Sequence, residues 1–192
     1  MFNLEDKKSQ TLYVMDGVRM RPFKNIDALN YFILYNRHEI AKYLPQDMIP
    51  RDLNGSQKQI HSLFLQGRST PYWAIVDEKD ELIGSCGFVN IDSYNHRLEI
   101  AYDLHPSCWG RGIMYNAIKV CLKHAFEDML MDRVDAVTLR ENVESSKVLL
   151  RSGFVHEGTL RFFKYFHGKM RDVESYSFTS QDYKAIITNN NA

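Results

Sequence analysis

Residues 98–126 read LEIAYDLHPSCWGRGIMYNAIKVCLKHAF, and a change of period inside this stretch decides the fold. Leu98 to Leu104 is a β-compatible run, and a turn containing Gly110-Arg111-Gly112 follows it. From there Ile113, Met114, Ala117, Ile118, Cys121, Leu122 and Ala125 recur on one helical face, as a helix packed on a sheet requires. The segment therefore predicts a strand, a tight turn and a long amphipathic helix.

Two strands precede it, Trp73–Val76 and Glu81–Asn90. With Leu98–Leu104 they form an antiparallel meander separated by the polar turns DEKDE and DSYNH. Further back, GVRMRPF at residues 17–23 reads as the first strand, ended by proline. Between these strands the pattern predicts two helices. Asn25 or Asp27 caps a run through Leu29, Phe32, Ile33 and Asn36, and Ser56 caps one holding Ile60, Leu63 and Phe64. Pro45 and Pro50 mark irregular chain between the helices.

Downstream, Val134–Leu139 reads as a strand, Glu144–Arg151 as a short helix, and Phe154–Arg161 and Val173–Thr179 as the last two strands, before a frayed NNNA end. The fold class is α+β, a mixed and mostly antiparallel sheet with helices on both faces. The step from Leu98 through the helix to Leu139 is a parallel crossover. One domain is expected over residues 1–192, with its core at about 17–183.

Composition excludes several classes. Lys plus Arg equals Asp plus Glu at 24 each, so no global field draws in nucleic acid or an anionic membrane. The opening MFNLEDKKSQ lacks the basic and apolar regions of a signal peptide, and no 18 apolar residues run together, so a cytoplasmic protein is expected. Cys86, Cys108 and Cys121 are too few and too odd in number for a disulfide framework.

Two glycines at the mouth of a helix let backbone N–H groups come close to a phosphate, and the helix dipole favours an anion there. Such a pair also serves as a plain permissive turn. A second informative run, ENVESSKVLLRSGFVHEGTLR at residues 141–161, places Asn142 and Ser145 at a helix start. There they can hydrogen-bond an amide-bearing ligand arm or simply cap the helix.

The two runs together resemble the GNAT superfamily of N-acetyltransferases, in particular its RimJ/RimL-like branch. The first resembles the acyl-CoA motif Q/R-x-x-G-x-G/A, with Ser107 where Gln or Arg is usual. The second resembles N-x-x-S-x-x-x-L-x-x-x-G-F-x-x-E-G-x-L-R, followed by a G-x-x-x-D element at Gly168 and Asp172.

The resemblance implies a splayed parallel strand pair that binds acetyl-CoA as co-substrate. The turn Gly110, Arg111, Gly112, with Ile113 and Met114, would hold the pyrophosphate, and Asn142 and Ser145 would lie along the pantetheine arm. Leu104 and His105 would meet the acetyl carbonyl. It implies direct attack by a primary amine, in this branch the N-terminal amine of a ribosomal or other protein, with no covalent enzyme intermediate and no metal. Ser145 resembles the branch's proton donor to the leaving thiolate, since Leu149 stands where other members carry Tyr.

Glu99 is the first candidate for general base, with Asp103 and His105 as alternatives; a strand carboxylate equally serves in an ion pair. Trp109, Phe162, Phe163, Tyr165 and Phe166 line a groove or pack the sheet. His105-x-x-Cys108 and Cys121-x-x-His124 imitate a zinc site, but the helix between them would hold the pairs roughly 18 Å apart. A polyamine acceptor would call for clustered carboxylates, whereas Glu141, Glu144 and Glu157 are interspersed with basic residues. A small-molecule amine acceptor and a catalytically silent acyl-CoA-binding module are the rival readings. No membrane or direct nucleic-acid partner is expected, and a homodimer is admissible.

Overall fold

The computed structural model describes residues 11–66 and 71–190. Its strands are β1 Leu12–Met15, β2 Val18–Arg21, β3 Tyr72–Val76, β4 Leu82–Asp92, β5 Arg97–Leu104, β6 Arg133–Leu139, β7 Val155–Phe166 and β8 Lys169–Thr179. Its helices are α1 Ala28–Tyr35, α2 His38–Ala41, α3 Leu53–Gln66, α4 Ile113–Lys123, α5 Val143–Arg151 and α6 Ser180–Asn190. The strands form one mixed sheet in the order β1-β2-β3-β4-β5-β6-β8-β7.

The chain forms two compact units. The first holds the described residues up to Gly87 together with Tyr102–Ala117; the second holds Phe88–Ala101 and the chain from Ile118 onward.

In the first unit, Phe23, Tyr31, Leu34, Tyr35, Ile60 and Val76 build a buried core. Each such side chain contributes roughly 1.5–3 kcal/mol by leaving water. Asp27 stands at the N-cap position of α1 as expected, but its carboxylate turns backward: it accepts the Lys24 N–H at 2.7 Å and is held by the Arg21 guanidinium at 2.8 Å on both oxygens. The other expected cap is corrected. Ser56 lies inside α3 and donates its hydroxyl to the Ala28 carbonyl at 2.5 Å, while Asp52 accepts the Gly55 N–H and opens the helix. Of the apolar residues expected on that helix, Ile60 is buried and Leu63 packs on the core; the Phe64 side chain lies outside what is described.

In the second unit, β5 and β6 run parallel from Arg97↔Arg133 to Glu99↔Asp135. The ladder goes no further, although β6 continues to Leu139 and β5 to Leu104. Phe126, Phe154 and Phe178 pack ring against ring, with centroids 5.5–5.8 Å apart about Phe178. Of the seven apolar positions expected on the long helical face, Ile118, Cys121, Leu122 and Ala125 are buried and belong to this unit, and Ile113, Met114 and Ala117 are buried and belong to the first. The helix's last turn, His124–Asp128, is wider than an α turn, with His124 bonded to Asp128 at 2.8 Å.

Four elements run beyond the sequence reading. β1 precedes the expected first strand and pairs antiparallel with β2 through Asp16-Gly17. β7 and β8 extend to a tight turn at His167-Gly168, both with positive φ. The end expected to fray is helix α6 as far as Asn190; Asn191 and Ala192, like the opening MFNLEDKKSQ, lie outside the described residues.

Candidate functional site

The turn between β5 and α4 belongs to the first unit and is built from its own sequence. Pro106–Cys108 makes one tight turn, capped by His105, whose Nδ1 accepts the Ser107 N–H at 3.2 Å. The Trp109 indole donates to the Leu104 carbonyl at 2.7 Å and ties the turn back to the strand. Gly110 and Gly112 then take φ of 73° and 77°, the left-handed region that side chains disfavour. A Cβ at Gly110 would meet nothing within 4 Å, and at Gly112 only the Asn116 amide at 3.8 Å. The glycines are there for backbone handedness, and the space before them is open.

The polar groups facing that space are backbone donors. Among the described residues, no turn, loop or cap hydrogen bond is donated by the amides of Gly110 to Met114. The first amides of α4 likewise lack a partner in the helix, and no acidic residue sits in its first turn. Ile113 and Met114 bury their side chains, so they contribute only main chain. Exposed Arg111 makes no ion pair among the described residues. A row of unspent N–H groups, a helix N-terminus and a guanidinium suit a diphosphate.

The strand leading into the turn holds the other first-unit candidates. The His105 amide donates to the Ile83 carbonyl at 2.7 Å, so its use on an acyl oxygen requires sharing that bond. Burial, with the nearby Arg37 charge, pulls the His105 imidazole below its ordinary range, which favours the neutral ring. Asp103 is buried, and its Oδ2 accepts the hydroxyls of Ser85 and Tyr35, the latter at 2.5 Å. Burial pushes this carboxyl up to about 6 against those hydrogen bonds.

Glu99, Asn142 and Ser145 belong to the second unit. Glu99 accepts from Asn90 at 2.9 Å and lies 3.3 Å from the Lys164 ammonium. Asn142 caps α5, its Oδ1 accepting the Ser145 N–H at 3.3 Å. Leu149 is core, which accounts for its apolar identity.

The aromatic run divides. Phe166 is buried, whereas Phe162, Phe163 and Tyr165 are exposed, as is Trp109 in part. Phe162 takes a φ of 52° at a register shift between β7 and β8, and its N–H is held by Asp172 at 2.9 Å. The G-x-x-x-D element thus has a local meaning: Gly168 closes the hairpin turn and Asp172 fixes a bulge.

Sequence reasoning missed Tyr35, Tyr72 and Ser85 around Asp103. Their signal was the GSCG run at residues 84–87, because glycine inside a strand marks close backbone approach. A Cβ at Gly84 would lie 2.4 Å from the Asp103 carbonyl oxygen, and one at Gly87 2.4 Å from the Tyr72 Cα. Among the described residues no group of three His, Cys, Asp or Glu converges to hold a metal, and no helix is long and apolar enough to cross a membrane.

A family model described as acetyltransferase (GNAT) domain matches residues 18–155. A Bacillus licheniformis protein named as the uncharacterized N-acetyltransferase p20 is 36% identical over 91% of this chain and 98% of its own. The ribosomal-protein-serine acetyltransferase of Escherichia coli (strain K12) is 29% identical over 88% of this chain and 96% of its own. The crystal structure of the ribosomal-protein-S5-alanine acetyltransferase from Vibrio fischeri aligns with a TM-score of 0.78 at 26% identity, covering 91% of this chain and 98% of that one. The glycine turn, the mixed sheet and the match over most of the chain converge: the protein belongs to the GNAT acetyltransferase family and is an acyl-CoA-dependent N-acetyltransferase.

Proposed function

We propose that the protein transfers the acetyl group of acetyl-CoA to the N-terminal amine of a protein of the ribosomal class, by direct attack, in the cytoplasm. The observation that carries the CoA assignment is the turn from Gly110 to Met114, with open space before left-handed glycines and amides that no described residue accepts. Relatives named for ribosomal-protein serine and alanine acetylation support the acceptor class.

Each part of the chain has a task in this reaction. The turn amides and Arg111 hold the pyrophosphate, and the main chain near Leu104 orients the acyl carbonyl. Asn142 fixes the first turn of α5, and Ser145 on that turn supplies the proton taken up by the departing thiolate. The thioester itself provides the activated acyl group.

The test is an acceptor screen that pairs acetyl-CoA with short peptides of varied N-terminal residue, polyamines and aminoglycosides, reading free thiol. Turnover confined to peptides, with mass added at the N-terminus, upholds the reading. Turnover confined to polyamines or aminoglycosides replaces the acceptor class, and none with any amine overturns transfer.

A further inference from the structure

Three neighbouring strands of the first unit bring a buried carboxylate and a line of hydroxyls together. β4 carries Ser85 between Tyr72 of β3 and Asp103 of β5, and α1 adds Tyr35. Ser85 donates to Asp103 Oδ2, and Tyr72 Oη lies 3.0 Å from Ser85 Oγ. Ser85 has one hydroxyl proton and spends it on the carboxylate, so Tyr72 is the donor of that second bond. The direction of the chain is therefore fixed as Tyr72 to Ser85 to Asp103. Gly84 and Gly87 bring the outer strands close on either side of Ser85.

This arrangement is poorly suited to a structural carboxylate. Asp103 is 9% exposed and its Oδ1 is buried with no hydrogen-bond partner. The titratable groups facing it are Tyr31 and Tyr35 from α1 and Tyr72 from β3. Among the described residues no Lys, Arg or His forms an ion pair with it. A buried charge without a cation is costly, and asparagine would fill the same space without that cost. Burial holds the Tyr35 and Tyr72 phenols well above their ordinary range, so both remain protonated donors.

We propose that Asp103 is the internal proton acceptor for the attacking amine, a positioning residue that works through Ser85 and Tyr72 without touching substrate. The assignment rests on the acetyl-transfer reading above. Tyr72 is the partly exposed member of the chain; Tyr35, Ser85 and Asp103 are buried. The ammonium gives a proton to Tyr72 Oη, Tyr72 passes its own to Ser85 Oγ, and Ser85 passes its own to Asp103 Oδ2. The amine nitrogen keeps the electron pair of the broken N–H bond and uses it on the thioester carbon. Asp103 ends neutral and returns the proton to solvent by the reverse route between turnovers.

The test is kcat/KM against pH for the full chain and its Asp103→Asn, Ser85→Ala, Tyr72→Phe and Glu99→Gln variants, joined to carboxyl 13C NMR of the folded protein. Asp103→Asn is expected to lower kcat/KM at neutral pH by about 100-fold and to flatten the acidic limb, with the KM for acetyl-CoA unchanged. Folded Ser85→Ala and Tyr72→Phe lose rate with Asp103 intact, which keeps the idea testable if Asp103→Asn misfolds. Retention of the limb in Asp103→Asn, or its loss only in Glu99→Gln, overturns the assignment. So does a wild-type Asp103 carboxyl that titrates near 4, whether or not an acceptor has been found. A folded protein inert toward every amine condemns the acetyl-transfer reading instead, and the carboxyl titration then judges Asp103 by itself.

Discussion

The Lys164 ammonium lies 3.3 Å from Oε1 of Glu99, and the same carboxylate accepts a hydrogen bond from Asn90. The first-choice base of the sequence reading thus has a neutralising partner from β7. Glu99→Gln is expected to keep the acidic limb of the rate profile and to cost about 0.5–1 kcal/mol of stability, since Lys164 is partly solvated. Thermal denaturation beside a pH–rate profile checks both.

Gly112→Val places a β-branched side chain at a φ of 77°. The strain of forcing a side chain into this region is on the order of 1–2 kcal/mol, and the new methyl groups stand in the open space before the turn. Calorimetry on the folded variant should show CoA affinity falling by tenfold or more; an unchanged affinity removes the turn from the CoA site.

Ser145→Ala tests the thiolate proton. The interaction matures only as charge develops on sulfur, so kcat should fall more than acetyl-CoA affinity changes. A variant with wild-type kcat takes Ser145 out of the mechanism.

Asp103 carries a pH signature in stability as well as in rate. Its folded value of about 6 lies above the unfolded 3.8, so its neutral form stabilises the fold fully below about pH 4, and that contribution is lost as pH rises through 6. The loss amounts to about 3 kcal/mol by pH 7. Asp103→Asn should therefore be relatively more stable above pH 6 than below 4, as urea denaturation at the two pH values would show; the opposite order counts against the buried, unpaired carboxylate.

The elements with one clear period were legible. The face from Ile113 to Ala125 reads directly from its spacing, and the meander follows from its two polar turns. β1 was missed although Asp16-Gly17 is a hairpin signal, because a four-residue strand offers almost no periodicity. Ser56 reads as a cap because serine usually is one; only the buried Ala28 carbonyl, far away in sequence, gives its hydroxyl another use. The glycine turn was legible because it is local. The Asp103 relay was not, since Tyr72, Ser85 and Asp103 meet only through strand register and Tyr35 only through helix packing, neither of which a single chain displays.

The two outermost strands share one irregularity. β1 is four residues long and slips register between Tyr13 and Met15, and β7 slips between Leu160 and Lys164 around the left-handed Phe162. A flat strand edge is a template for another chain, and runaway edge-to-edge growth is how exposed sheets polymerise. A kinked edge bearing Arg161 and Lys164 breaks that template on one side, and a stub too short to nucleate does so on the other. Among the described residues, neither margin of the sheet offers an unbroken backbone ladder for another chain to extend.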